Sequence, residues 1–154
     1  MTRKARVYLD SSALFTGIWS AEGGARMILK LGEAEALQIM ISSPVLTEVE
    51  RALQKKAPGT LGALALILDR SNALILPDPK KELIKACENL VNHPGDARVI
   101  ASVWETEIDF FVTLDRKHFI ENQALKKEAP ILIGTPGDFL AWFRGRFIRT
   151  TNQS

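Results

Sequence analysis

Short apolar runs alternate along the chain with longer segments in which apolar residues recur at helical spacing. The short runs predict strands at residues 6–9, 37–41, 73–76, 108–114 and 131–133. The longer segments predict helices that include residues 13–15, 25–31, 44–56, 61–68, 81–91, 96–103 and 136–143. Parallel strands need crossover connections, so this alternation indicates a mainly parallel sheet. We therefore predict an α/β fold of the three-layer α/β/α class.

Punctuating residues indicate where some of these helices begin and end. Gly32 follows the helix at residues 25–31 and predicts its end, because glycine is favoured just after a helix. Ser43 precedes Pro44, and this pair predicts a capping residue before a proline at the first helical position. These two signals set the expected limits of the helices around the second strand.

The length and composition favour one domain in a reducing compartment. The 154 residues are 46% hydrophobic, which is enough to bury a full core. We expect residues 1–145 to form the domain and residues 146–154 a flexible tail. No apolar run approaches the roughly 20 residues of a membrane helix, and no signal peptide is expected. Cys87 is the only cysteine, so an intramolecular disulfide is excluded and a cytoplasmic location is favoured.

Two predicted strands are each followed by an aspartate, Asp10 and Asp115. Ligand sites in parallel α/β folds lie at the carboxyl ends of the strands, so both carboxylates are candidates for chemistry. Aspartate also caps helices, and either residue alone is explained as well by that role. Together, they would hold two negative charges close to one another, and such a pair favours a bound cation.

A third acid, Asp96, lies on the apolar face of a predicted helix. Asp96, Val99, Ile100 and Val103 stand at positions i, i+3, i+4 and i+7. An acid in the first helical turn often only complements the helix dipole. Here the carboxylate points toward the core, where it needs a cation or hydrogen-bond donors.

Glu48 and Glu50 are candidates for a fourth acid on the helix that begins near Pro44. They flank the apolar stripe of that helix about equally. Helical periodicity does not choose between them, and a solvated surface charge is an equally simple role for each.

Four segments in order resemble the PIN-domain family, and most closely its VapC-type toxin ribonucleases. They are VYLDSSALF, SSPVLTEVERAL, HPGDARVIASV and FVTLDRKHF, and together they span nearly the whole chain. The resemblance selects Glu48 over Glu50 as the second acid, with Asp10, Asp96 and Asp115 as the other three. It also places hydroxyl groups beside the acids at Ser11 and Thr113, as contacts to the carboxylates or to phosphate. Strand-end capping is an equally good role for these two hydroxyls.

The predicted chemistry is metal-dependent hydrolysis of RNA. Carboxylate oxygens suit Mg²⁺ or Mn²⁺ as the cofactor, and no His/Cys cluster points to zinc. Asp10, Asp96 and Asp115 are expected to bind the metal, with Glu48 as a further ligand or as an orienter of the attacking water. The resemblance implies products with a 5′-phosphate and a 3′-hydroxyl. His93 and His118, which flank Asp96 and Asp115, are expected to be loop residues rather than general bases.

The charge distribution and the resemblance predict the partners. Lys and Arg number 20 and Asp and Glu 18, so removing four site acids leaves 14 acids against 20 basic residues. That excess favours a polyanionic substrate. The resemblance implies that this substrate is RNA. The resemblance further implies a small antitoxin protein and a homodimer. A housekeeping RNA-processing nuclease, or an inactive PIN-like module that binds nucleic acid or protein, are the alternatives.

Other classes of enzyme that carry an aspartate after the first strand fit less well. A phosphotransferase of the haloacid dehalogenase type requires a second acid two residues after Asp10, where this chain has Ser12. A receiver domain requires an acidic pair before that aspartate and a late strand-end lysine, and neither is evident. Nucleases that cut DNA flaps typically carry more acids and an added arch of sequence.

Overall fold

A five-stranded parallel sheet forms the centre of the computed structural model, which describes residues 3–91, 93–128 and 131–152. The strands lie in the order β3, β2, β1, β4, β5, and each neighbouring pair is parallel. They are β1 (Ala5–Leu9), β2 (Leu37–Ser42), β3 (Leu74–Leu76), β4 (Phe110–Val112) and β5 (Leu132–Gly134). Helices fill the connections between them, so the predicted three-layer α/β/α class is confirmed.

The helices in chain order are α1 (Ser11–Trp19), α2 (Gly24–Glu33), α3 (Ser43–Lys56), α4 (Leu61–Arg70), α5 (Lys81–Cys87), α6 (Pro94–Glu105), α7 (Gln123–Glu128) and α8 (Pro136–Asn152). A single 3₁₀ turn precedes α4, and a π-helical turn at Arg116–Ile120 follows β4. Among the described residues, no helix combines the length and apolar character needed to cross a bilayer.

The strand order reverses at β1, which lies between β2 and β4. Val7, Tyr8 and Leu9 are buried almost completely, because helices cover both faces of this strand. Leu9 pairs with Val112, so the chain leaves β1 and β4 at the same level of the sheet. Such a reversal opens a crevice at the carboxyl edge of a parallel sheet. The residues that follow β1 and β4 therefore face a common space.

Strand β4 is shorter than predicted. The apolar run at residues 108–114 predicts one strand, but β4 covers Phe110–Val112. At one end, the Asp109 carboxylate accepts a hydrogen bond from Arg6 N at 2.8 Å. At the other end, Leu114 is 42% exposed and donates its amide to Ser12 Oγ at 3.0 Å. The residue directly after β4 is therefore Thr113, and the expectation that Asp115 follows the strand immediately is wrong.

Two predicted helix limits are also wrong. Helix α2 continues through Gly32 to Glu33, and the left-handed residue beyond it is Glu35, with φ of 61°. The cap of α3 is Ser42 rather than Ser43, since Ser42 Oγ accepts a hydrogen bond from Val45 N at 3.3 Å. Tyr8 OH donates to the same oxygen at 2.8 Å, which ties the start of α3 to β1.

The last helix continues past residue 145, where the sequence places the end of the domain. Helix α8 runs to Asn152, and residues 153 and 154 lie outside the described residues. Within this extension, Arg146 Nη2 donates to the Arg3 carbonyl at 3.0 Å, and Nη1 lies 3.5 Å from Asp109 Oδ2. Arg146 is therefore held against the residues that precede β1 and β4.

Gly32 allows α2 to lie close to the sheet, and a methyl group there should destabilise the fold. A Cβ on Gly32 would lie 2.6 Å from Ile39 Cδ1 and 2.7 Å from the Ser71 carbonyl oxygen. We expect Gly32→Ala to lower the free energy of unfolding by about 1–3 kcal/mol, the usual cost of overpacking.

Gly62→Ala is the matched control, because a Cβ on Gly62 of α4 meets nothing within 4 Å. That change should raise the free energy of unfolding by about 0.4–1 kcal/mol, because alanine lowers the conformational entropy of the unfolded chain. Urea unfolding followed by circular dichroism measures both values. Equal stability of the two variants would contradict the close approach of α2.

Candidate functional site

Asp10 lies directly after β1 and is only 6% exposed. Its amide donates to the Val112 carbonyl at 3.0 Å, which holds it beside the end of β4. Its carboxylate accepts a hydrogen bond from Thr113 Oγ1 at 2.9 Å and makes no capping bond to α1. Helix capping therefore does not explain this buried acid.

Thr113 links the two strand-end acids. Its side chain is fully buried, and its hydroxyl donates to Asp10 while accepting the Asp115 amide at 3.0 Å. Ser12 Oγ lies 3.5 Å from the same hydroxyl and accepts the Leu114 amide. The sequence analysis singled out Thr113 but missed Ser12, which the resemblance passed over in favour of Ser11. The only sequence signal for Ser12 was a second hydroxyl next to the predicted one.

Asp115 has a structural role in addition to its place near the other acids. Its Oδ1 accepts the His118 amide at 3.0 Å, so it caps the π-helical turn that follows β4. Its Oδ2 lies 2.7 Å from His118 Nδ1. The capping role considered for strand-end aspartates thus applies to Asp115.

Asp96 lies in the first turn of α6 with its side chain 20% exposed. Its Oδ2 is buried and has no hydrogen-bond partner among the described residues. The imidazole Nδ1 of His118 lies 3.8 Å from it. An unsatisfied buried carboxylate oxygen costs free energy unless another group meets it, so this atom is open to a further ligand.

His118 is a site residue that the sequence analysis missed. It was expected to be a loop residue, but its ring lies between the carboxylates of Asp96 and Asp115. The His93 ring packs edge-on against it, with centroids 4.8 Å apart. The separation of three residues between Asp115 and His118 was the available signal, since residues at i and i+3 meet on a helical turn.

The structure separates Glu48 from Glu50. Glu48 lines a groove with Ser11 and Ser12, and its negative charge raises the pKa values of Asp10 and Asp96. Glu50 lines a different, mainly apolar groove between α3 and α4. Glu48 is therefore the glutamate of this pair that shares the space of the other acids.

The site is electrostatically strained without a cation. Burial raises the pKa of Asp10 to about 6, repulsion from Glu48 and Asp96 adds to the shift, and hydrogen bonds from Thr113 and Ser11 oppose it. Burial also raises the pKa of Asp96, with Asp115 and Glu48 adding to the effect. His118 and His93 act in the opposite direction on Asp96. Four acids in one crevice repel one another, and positive charge there would relieve the repulsion.

The donor chemistry fits a hard divalent cation. The donors are carboxylate oxygens, and Asp96 Oδ2 is buried without a hydrogen-bond partner in the part of the chain that the structure describes. Within the described ranges, no group of three or more His, Cys, Asp or Glu residues is already arranged to hold a metal ion. A cation would therefore need to draw the carboxylates together and compete with His118 for Asp96 and Asp115.

Comparison with known proteins identifies the fold. No protein-family model matches the chain, and no curated protein sequence matches it. VapBC2 from Rickettsia felis, bound to a DNA fragment from their promoter, is similar in structure, with a TM-score of 0.62 and 19% identity. That match covers 84% of this chain and 98% of the other. PAE2754 from Pyrobaculum aerophilum has a TM-score of 0.62 and 17% identity, and covers 92% of this chain and 90% of its own.

These likenesses confirm a PIN-like fold for the chain. The resemblance found in the four sequence segments is therefore confirmed at the level of the fold.

The raised pKa of Asp10 predicts a pH dependence of stability in the absence of divalent cations. The folded protein binds this proton more tightly than the unfolded chain, so the contribution to stability is complete below about pH 4 and is lost as the pH rises to about 6. We expect Asp10→Asn to remove this loss and to stabilise the protein at pH 7.5 by up to about 3 kcal/mol, at about 1.4 kcal/mol per pKa unit. Urea unfolding of the wild-type protein and of Asp10→Asn, in EDTA at pH 4 and 7.5, measures this difference in the free energy of unfolding.

Asp138 supplies a control of opposite sign. Hydrogen bonds with the backbone amide and the hydroxyl of Thr135 lower the pKa of Asp138. The contribution of Asp138 to the free energy of unfolding is therefore present at neutral pH and is lost on acidification. Asp138→Asn should therefore weaken the protein at pH 7.5. If Asp10→Asn also destabilises the protein at pH 7.5, the electrostatic strain at Asp10 is absent.

Proposed function

We propose that the chain is a divalent-metal-dependent endoribonuclease that hydrolyses RNA phosphodiester bonds. The observation that carries the proposal is the buried Asp96 Oδ2, which has no hydrogen-bond partner among the described residues and lies in the same crevice as the buried Asp10 carboxylate. This crevice lies at the carboxyl edge of β1 and β4, where parallel α/β folds place their ligands. The PIN-like fold supports the choice of nuclease.

In this proposal, Asp10, Asp96 and Asp115 hold Mg²⁺ or Mn²⁺, and Glu48 is a further ligand or orients the attacking water. The metal would supply Lewis-acid activation of the phosphate and of a water molecule, and would stabilise the leaving oxygen. Thr113 fixes the Asp10 carboxylate through its 2.9 Å hydrogen bond. Ser12 holds the chain after β4 through the Leu114 amide. These hydroxyls keep the carboxylates oriented before the substrate arrives.

His118 holds the Asp115 carboxylate in this arrangement. Its Nδ1 lies 2.7 Å from Asp115 Oδ2, and the same turn is capped by Asp115 Oδ1. The same ring nitrogen lies 3.8 Å from Asp96 Oδ2, and the ring lowers the pKa of Asp96. We assign His118 as a positioning residue for Asp115.

We further propose that the chain is the toxin of a toxin–antitoxin pair, acting as a cytoplasmic homodimer. Its fold is shared with VapBC2 of Rickettsia felis. The antitoxin would be a small protein with a segment that enters the acidic crevice, where an arginine would pair with the carboxylates. A housekeeping RNA-processing role would use the same chemistry on a different RNA.

Divalent metal should both stabilise the protein and support cleavage. Mg²⁺ or Mn²⁺ at 100 times its dissociation constant should raise the free energy of unfolding by about 2.7 kcal/mol. The same ions should support cleavage of single-stranded RNA, with 5′-phosphate products. Asp96→Asn should lose both the stabilisation and the cleavage. If neither ion stabilises the wild-type protein or supports cleavage, the proposed function is wrong.

Glu48 and Glu50 provide a matched pair on one helix. Glu48→Gln should weaken Mn²⁺ binding, measured by calorimetry, by about 10- to 100-fold, the range seen when groups that orient metal ligands are lost. Glu50→Gln removes the same charge from a neighbouring groove and should leave Mn²⁺ affinity and cleavage unchanged. Equal effects of the two changes would remove Glu48 from the site.

The toxin role predicts a growth phenotype. Induced expression of the chain in a bacterial host should arrest growth, and Asp96→Asn should not. Co-expression of an antitoxin encoded next to its gene, which the toxin role requires, should restore growth. Normal growth with active wild-type enzyme would favour the housekeeping role instead.

A further inference from the structure

A groove leads away from the acidic site along the seam between α1 and α3. Its volume is about 240 Å³. The helix α1 contributes two hydroxyls and an aromatic ring to it, and α3 contributes a carboxylate, a methyl group and an ammonium group. These residues are Ser11, Ser12, Phe15, Glu48, Ala52 and Lys56, and the buried Val49 also lines the groove.

Helical spacing aligns the two walls of the groove. Ser11, Phe15 and Trp19 stand at intervals of four residues on α1, and Glu48 and Lys56 stand eight residues apart on α3. Residues four apart lie on the same face of a helix. With a rise of about 1.5 Å per residue, each stripe extends for about 12 Å from the sheet edge. The groove is therefore an elongated track that starts at the acids.

The near end of this track is continuous with the acidic site. Ser12 Oγ lies 3.5 Å from Thr113 Oγ1, and Thr113 donates to Asp10. Glu48 lines the track and also acts electrostatically on Asp10 and Asp96. A chain-like substrate with one phosphate at the acids would extend directly into this track.

The far end combines flat aromatic surface with positive charge. The Phe15 and Trp19 rings are nearly parallel, at 10°, with centroids 6.0 Å apart. Trp19 does not itself line the groove, but it stacks on Phe15, which does, and it is 56% exposed. Lys56 Nζ lies 5.5 Å from the centroid of the Phe15 ring. Aromatic faces that accept stacked bases, beside a cation that accepts phosphate, are the two elements of a site for single-stranded nucleic acid.

We propose that this track binds the single-stranded RNA segment next to the scissile phosphate. A base stacks on the exposed surface of the Trp19 ring. A phosphate of the same segment pairs with the Lys56 ammonium, which then exchanges its contact with the Phe15 ring for the phosphate. The bases of duplex RNA are paired and stacked inside the helix, so they do not reach an aromatic side chain in this way. The inference rests on the proposed ribonuclease function and assigns residues outside the acidic site that bind its single-stranded substrate.

The test measures binding of a fluorescently labelled single-stranded RNA by anisotropy. All proteins carry Asp96→Asn, so that RNA is bound without being cut. Trp19→Ala should weaken binding about 5- to 150-fold, the range for loss of one base–aromatic stack. Trp19→Phe keeps an aromatic face and should retain most of the affinity.

Lys56 is tested through the salt dependence of the same binding. Lys56→Gln should reduce the slope of log affinity against log salt by about 0.7, the value for one phosphate contact on a single strand. Lys55→Gln is the matched control, since Lys55 is the exposed neighbour on α3 and does not line the groove. It should leave the slope unchanged. Leu66→Ala, at an exposed apolar position on α4, is the corresponding control for Trp19→Ala.

The outcomes separate this inference from the proposed function. If the wild-type protein cleaves RNA with Mg²⁺ or Mn²⁺ but Trp19→Ala and Lys56→Gln bind like their controls, the track is wrong and the nuclease proposal stands. Equal losses on duplex and single-stranded RNA of one sequence would overturn the single-strand assignment. If there is neither cleavage nor RNA binding, both proposals fail. Thermal unfolding by circular dichroism checks that each variant is folded.

Discussion

The buried carboxylate of Asp10 at the boundary between β1 and β4 is the constraint on which the candidate site depends. Its position follows from the pairing of Leu9 with Val112, and its orientation follows from the hydroxyl of Thr113. Burying a charge is costly unless nearby groups compensate for it, and here one hydroxyl and one backbone amide do so only in part. The remaining strain accounts for the raised pKa of Asp10 and for the affinity for a cation that we propose.

The surrounding acids increase this strain, and the π-helical turn after β4 limits it. Glu48 and Asp96 repel Asp10, whereas His118 lies between Asp96 and Asp115 and lowers the pKa of Asp96. Strain of this kind persists only where the rest of the fold is stable enough to hold it. The fully buried strands β1 and β2 provide that stability, and the site is placed at their carboxyl edge.

The accuracy of the sequence predictions differed between the centre and the boundaries of the fold. Strands β1 and β2 are buried on both faces, so their continuous apolar runs predicted their limits to within one residue. The apolar run around β4 was misleading, because its last residue, Leu114, is exposed and bonds to Ser12. Where β4 ends depends on its pairing with β1 and β5, and a local apolar run does not contain that information.

The sequence by itself determined the α/β class and the places of Asp10 and Asp96, because strand ends and helical stripes are local periodicities. It also singled out Thr113, although not the contact that this residue makes. Periodicity did not choose between Glu48 and Glu50, because both flank the same stripe; the resemblance selected Glu48, and only the tertiary structure shows that the two glutamates line different grooves. The contacts of His118 and Ser12 were likewise decided there. The Ser12 contact joins segments about a hundred residues apart, and the His118 contact depends on the direction of the turn after β4. The packing of β1 beside β4 determines both.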